Sequence, residues 1–265
     1  MLPLFFSILP FFALFDNGEP CVGTDRRGIL ASNRGEKCVK KRTFYTETAY
    51  VLGMVILSFS VALMTRADFG VSMVVAPAYL LHLKLSPQFP FFTFGMAEYT
   101  LQGVLLVITA LAVKKFRPYF LFSFVTAVLY GFLLDGWMLL VNRFPADTLL
   151  LRGLWYVLGL GLGAVSIACF FKTYIAPEVY ELLVKELAEK LDKPTHRVKT
   201  VYDCVSCAVA VAMSFAFFGL WHFEGVKLGT ILCALVNGYL IGRCTAWMDR
   251  RFEYRDALPL RRYFS

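Results

Sequence analysis

Two stretches decide the reading of this chain: residues 49–66, AYVLGMVILSFSVALMTR, and residues 155–172, WYVLGLGLGAVSIACFFK. Each contains Tyr-Val-Leu-Gly, and each runs apolar until a cation ends it. Tyr50 and Tyr156 lie 106 residues apart, and at that offset Gly53 meets Gly159, Ala62 meets Ala168, Arg66 meets Lys172 and Gly70 meets Ala176. Further along, the stretch 92–106 resembles 197–211, with Glu98 meeting Asp203 at an offset of 105. The stretch 120–136 then matches 227–243, pairing Gly131 with Gly238 at 107. Three blocks that recur in order, with a drift of two residues, imply a duplication with units of 47–145 and 153–250. Self-similarity of this kind governs the fold more than any single element does.

Composition says where the units reside. The 265 residues are 58% hydrophobic and 17% charged, against about 25% charged in a soluble domain, so little is left to cover a water-facing surface. Between 48 and 65 the only ionisable side chain is Tyr50. Comparable runs cover 99–113, 118–134, 153–171, 204–221 and 228–242. About 20 apolar residues cross a bilayer as a helix, whereas a transmembrane barrel shows alternating segments of about ten. The expectation is an all-α polytopic membrane helical bundle. Its six helices fall at 47–65, 95–113, 119–141, 153–171, 200–220 and 226–247.

Three spans per unit is an odd number, so the second unit enters the membrane from the opposite side. Loop charges agree. With the basic tail (Arg26, Arg27, Arg34, Lys37, Lys40, Lys41, Arg42) on the cytoplasmic side, the charged stretches 114–117, 172–199 and the C-terminal tail 251–265 fall on that side too. The outer loops keep only Arg66, Lys84, Arg143, Arg152 and Lys227. Six spans with both termini cytoplasmic follow, built as two inverted three-helix repeats. The net charge of +8 serves topology on this reading, and nucleic acid is not an expected partner.

Connectors and ends are less regular. Residues 67–90, with Pro77 inside, are short for a span and greasy for an open loop; a re-entrant course suits them, because irregular backbone at membrane depth survives only inside protein or against water. Residues 176–193 read as an amphipathic helix, with Val179, Leu182, Leu183, Leu187 and Leu191 on one face, lying on the membrane surface. The first 15 residues are apolar but hold two prolines and no preceding cation, unlike a signal peptide. They lead into a Gly-rich basic tail, so 1–46 stands apart as an anchor or an extension.

Ionisable groups inside apolar helices are costly and mark function by default. Glu98, Asp135 and Asp203 are such groups, joined by Gln102 and Asn237 as uncharged polar residues. Glu98 and Asp203 occupy matching positions, and paired carboxylates can hold and release a proton. The bland alternative places them at helix starts, complementing the positive end. Arg66 and Lys172 terminate matching helices, as anion contacts or as snorkelling helix-end cations. His82 is isolated. Cys204 and Cys207 have the spacing of half a metal site but no second pair, so no metal or cofactor is expected. Gly159, Gly161 and Gly163 lack the strand that a dinucleotide loop requires and suit close helix packing.

Two segments resemble the YczE/YyaS/YitT family of bacterial integral membrane proteins. VALMTRADFGVSM (61–73) is similar to its apolar helix, basic residue and Gly-Val-Ser; VKLGTILCALVNGYLIG (226–242) is similar to its last-helix signature. The likeness covers about 48–250. The family often places Pro and an acid after Gly-Val-Ser, where Met73 and Val74 stand here; Pro177-Glu178 keeps something like that pair in the second unit. The resemblance implies a multi-pass bacterial plasma-membrane protein without a settled activity.

Two functions compete on these residues: a small secondary transporter with an intramembrane carboxylate site, or a non-transporting scaffold that regulates a membrane partner. The first expects a small solute or ion, the second a protein; a homodimer fits either. No nucleophile–base pair or nucleotide loop points to an enzyme.

Overall fold

The computed structural model describes residues 42–114, 119–175, 178–193, 195–219 and 226–258. Apart from two short strands, their regular elements are helices: β1 (Arg42–Tyr45), α1 (Thr46–Ala67), α2 (Ala76–Leu85), α3 (Phe94–Val113), α4 (Tyr119–Val141), α5 (Leu149–Phe170), α6 (Val179–Leu191), α7 (Thr195–Phe218), α8 (Leu228–Arg251) and β2 (Phe252–Arg255). Six helices, α1, α3, α4, α5, α7 and α8, are long and apolar enough to span a membrane. Pro177, Pro194 and Trp221, the N-terminal stretch 1–41 and the end of the C-terminal tail lie outside the described residues.

The repeated Tyr-Val-Leu-Gly builds the centre. Its glycines let α1 and α5, the most extensively packed pair, approach closely. A Cβ on Gly159 would stand 3.0 Å from the Ser60 carbonyl, and one on Gly53 3.4 Å from Cys169 Cβ. Ser60 donates to the Gly159 carbonyl at 2.7 Å, and Ser166 donates to the Gly53 carbonyl at 2.6 Å. The tyrosines reach outward. Tyr50 bonds Thr126 on α4, and Tyr156 donates to the Gly229 carbonyl on α8.

Hydrogen bonds fix which helix ends meet. Around Asp68 gather the C-termini of α1 and α4 and the N-termini of α5 and α8, through Arg66 to Phe144, Arg152 to Asp68 and Lys227 to Asp68. Asp135, late in α4, adds the N-terminus of α3 through Gly95. At the opposite end, Glu47 at the start of α1 accepts from Tyr174 just after α5, and Lys172 pairs with Asp249 late in α8. The spanning helices therefore alternate in direction along the chain.

Packing is mirrored between the halves. The contact of α1 with α4 recurs as α5 with α8, α2 with α3 as α6 with α7, and α2 with α7 as α6 with α3. Two contacts break the pattern among the described residues: α4 packs on α6 without a comparable contact of α8 on α2, and the α3–α4 contact is not repeated. Helices α3 and α4 lie close, with Gly95 against Gly131, while among the described residues α7 and α8 do not pack along each other.

Two local features differ from the sequence expectation. Helix α6 is amphipathic, yet it lies within the bundle against α3, α4 and α7, burying Val179, Tyr180, Leu182, Leu183, Val184, Glu186 and Ala188. Its apolar face is covered by helices instead of a membrane surface. The expected tail segments 42–45 and 252–255 form a parallel pair, β1 with β2. Aromatic alternation is the reason: Phe44 packs against Phe252 with its ring tilted and against Tyr254 edge-on, at 5.4 and 6.1 Å between ring centroids.

Candidate functional site

Helix α3 begins at Thr93, whose side chain caps it by accepting from the Met96 amide at 3.2 Å. Asp135 completes that end, accepting from Thr93 Oγ1 at 2.6 Å and from the Gly95 amide at 2.8 Å. With orphan donors so satisfied, Glu98 need not serve the helix start. It is fully buried, as is Gln102 one turn later.

Gln102 grips the N-terminus of α6. Its Oε1 accepts from the Val179 amide at 3.1 Å, and its Nε2 donates to Glu178 Oε2 at 3.3 Å. Gln102 is the ninth residue of a 20-residue helix, which at about 1.5 Å per residue lies roughly 12 Å along it. At the other end of α6, Lys190 donates to the Ala112 carbonyl near the end of α3. Helix α6 thus runs parallel to the second half of α3, with its positive end at mid-depth of the bundle.

Two carboxylates meet at that end. Tyr180 donates to Glu98 Oε2 at 2.8 Å. Glu98 Oε1, Glu178 Oε1 and the buried Tyr130 hydroxyl have no hydrogen-bond partner among the described residues. Tyr130 lies near enough to feel both carboxylate charges. Burial, and then the neighbouring Glu98, hold the Glu178 carboxyl well above the ordinary carboxylate range. Two adjacent carboxylates out of water cannot both stay charged at low cost, and a proton on one of them lowers that cost.

Asp203 belongs to the other side of α6. Lys199 bridges Glu181 at 3.0 Å and Asp203 at 3.2 Å. Burial alone would lower the Lys199 pKa, but Glu181 and Asp203 outweigh it and raise it. Glu98 and Asp203 are therefore both joined to α6, one through Tyr180 and the other through Lys199 and Glu181.

Other candidates play different parts. Asp135 seals α3 at the Asp68 end and does not join the acid pair. Asn237 is half-buried on α8, away from this group. Arg66 donates to the Phe144 carbonyl; Lys172 pairs with Asp249 at 2.7 Å and lies over the Tyr254 ring. Both make helix-end contacts. His82 meets the Phe92 carbonyl. Glu178, Tyr180, Tyr130, Glu181 and Lys199 were not singled out from the sequence, although Pro177-Glu178 stood out as the surviving Pro-acid pair.

The family model described as Family of unknown function (DUF6198) matches residues 44–246. No curated protein and no solved structure matches the chain.

Proposed function

We propose that this chain, which belongs to the Family of unknown function (DUF6198), is a small secondary carrier that couples solute movement to a proton held between Glu98 and Glu178. The observation that supports this is a fully buried carboxylate pair, each acid with one open oxygen, at the N-terminus of a short helix ending inside the bundle. Carriers place their sites at such discontinuous helix ends near the midplane, between repeats of opposite orientation. Buried acids carry a large desolvation cost, which an exchanging proton or cation offsets.

Inverted repetition is part of the same reading. Its support is the residue-by-residue match at offsets of 105 to 107, the mirrored packing and the alternating helix directions. The positive-inside pattern supports a cytoplasmic position for the end with β1 and β2, and residence in the plasma membrane is part of the same proposal.

Purified protein in liposomes loaded with a pH dye tests the coupling. Sodium, ammonium and guanidinium ions, added outside one at a time, are the first probes. Solute-dependent proton movement that falls at least tenfold in Glu98→Gln and Glu178→Gln is the expected result. Movement unchanged in both variants removes the acids from the mechanism.

A further inference from the structure

The broken contact between α7 and α8 has a counterpart that shows what it lacks. In the first half Gly95 and Gly131 touch backbone to backbone; a Cβ on Gly131 would stand 2.8 Å from the Gly95 carbonyl and 3.0 Å from the Tyr99 ring. Gly103 lies against the Phe124 ring, where a Cβ would be 3.3 Å away. Shifted by 105 on α3 and by 107 on α4, Gly95 becomes Thr200, Tyr99 becomes Cys204, Gly103 becomes Ala208, Phe124 becomes Ile231 and Gly131 becomes Gly238. Cys204, Ala208, Ile231 and Gly238 are exposed, and a Cβ on Gly238 meets nothing within 4 Å. The same face is thus closed in one half and open in the other.

The latch differs in the same sense. Thr93 and the Gly95 amide hold Asp135 in the first half. At an offset of 107 Asp135 becomes Gly242, which offers no side chain to hold. Because the halves run in opposite directions, the closed contact lies at the Asp68 end and the open one lies toward the end with β1 and β2.

We infer that the two halves exchange these arrangements: α7 closes onto the Gly238 face of α8 as α3 leaves the Gly131 face of α4. The exchange would open the Asp68 end while the strand end shuts. Asp135 is the positioning residue that biases the pair toward the state described here. The inference rests on the carrier reading, since it supplies the two access states that a carrier requires, and its occupant for the α8 face is the chain's own α7. Only a device with two discrete packings of similar energy can do this, and in the second half the small residues Cys204, Ala208 and Gly238 let α7 approach α8 without repacking large side chains, at the wider spacing that Thr200 imposes where Gly95 stands.

Pulsed electron-resonance distances between spin labels on the full-length chain in nanodiscs test it. The label pairs are Thr100→Cys with Phe132→Cys, and their exposed counterparts Val205→Cys with Tyr239→Cys. Cys204, Cys207 and Cys244 are replaced by Ala and Cys21 and Cys38 by Ser, leaving Cys169 and Cys233, which are buried. The first pair should be mainly short and the second mainly long, each with a minor population of the other distance. Asp135→Asn, and independently Thr93→Val, should raise the minor population of both pairs together severalfold. Populations unmoved by both variants overturn the inference, as do distances in which both pairs are short at once. A short distance between Val205 labels on separate chains also overturns it, because a second copy would then cover α8. Proton movement is measured on the same preparations: coupled flux with unmoving distances removes the exchange alone, and exchange without flux removes the carrier reading alone.

Discussion

Ser166 repeats, in reverse, the bond that Ser60 makes: Ser60 donates to the carbonyl of Gly159, and Ser166 donates to the carbonyl of Gly53. Each serine lies seven residues after the glycine of its own Tyr-Val-Leu-Gly. Reciprocal contacts of this form belong to two-fold interfaces, where residue i meets j and the counterpart of j meets the counterpart of i. Here both partners lie on one chain.

That reciprocity predicts equal penalties. Ser60→Ala and Ser166→Ala should each cost about 0.6–1 kcal/mol, the range for hydrogen bonds between helices in membranes and in water. Thermal unfolding in detergent measures both, and a severalfold difference between them would break the equivalence.

Gly95 and Gly238 should respond oppositely to a methyl group. Gly95→Ala drives a Cβ into the Gly131 carbonyl and should destabilise by roughly 1–3 kcal/mol or more, as overpacking does. Gly238→Ala enters open space and should change stability by less than about 0.5 kcal/mol. The comparison needs only two melting curves.

Glu178 makes stability depend on pH. Its folded value is raised, so the folded chain binds the proton more tightly than the unfolded chain does. Its contribution is therefore fully present below the unfolded value of about 4.3 and is lost as pH rises through the folded one. Melting temperature should fall as pH rises above the ordinary carboxylate range, and Glu178→Gln should flatten that slope. A variant as pH-sensitive as the parent would assign the slope to other groups.

Lys199→Met leaves Glu181 and Asp203 facing each other without a cation. Loss of a partner from a fully buried pair costs about 3–5 kcal/mol. These side chains are about a quarter exposed, so the expected loss at neutral pH is smaller, roughly 1–2 kcal/mol. The loss should shrink at high salt, which screens the two carboxylates from each other. Melts at low and high salt check both parts.

How much of this was legible follows from the physics of each signal. Hydropathy placed α3 and α4 within a residue of their observed ends, because membrane length bounds apolar runs. The same signal missed the first turn of α7, where Thr195, His196, Arg197 and Lys199 are polar. The repeat offset found Glu98 and Asp203. It was silent on Glu178, whose counterpart at 106 is Ser72 and whose own surroundings are full of charges that read as surface. Burial of α6 depends on three neighbours that periodicity alone does not name. Pairing of β1 with β2 joins segments far apart in the chain and leaves no local pattern.

That small parallel ladder sets a schedule for biosynthesis. Phe44 cannot meet Phe252 until some 200 intervening residues have left the ribosome, which at about 5–20 residues per second takes roughly 10–40 s. Through that interval the first strand waits unpaired while six hydrophobic segments enter the bilayer. Closure of the ladder is therefore a late event, and a nascent chain halted before residue 252 would expose its opening aromatic residues to chaperones and proteases.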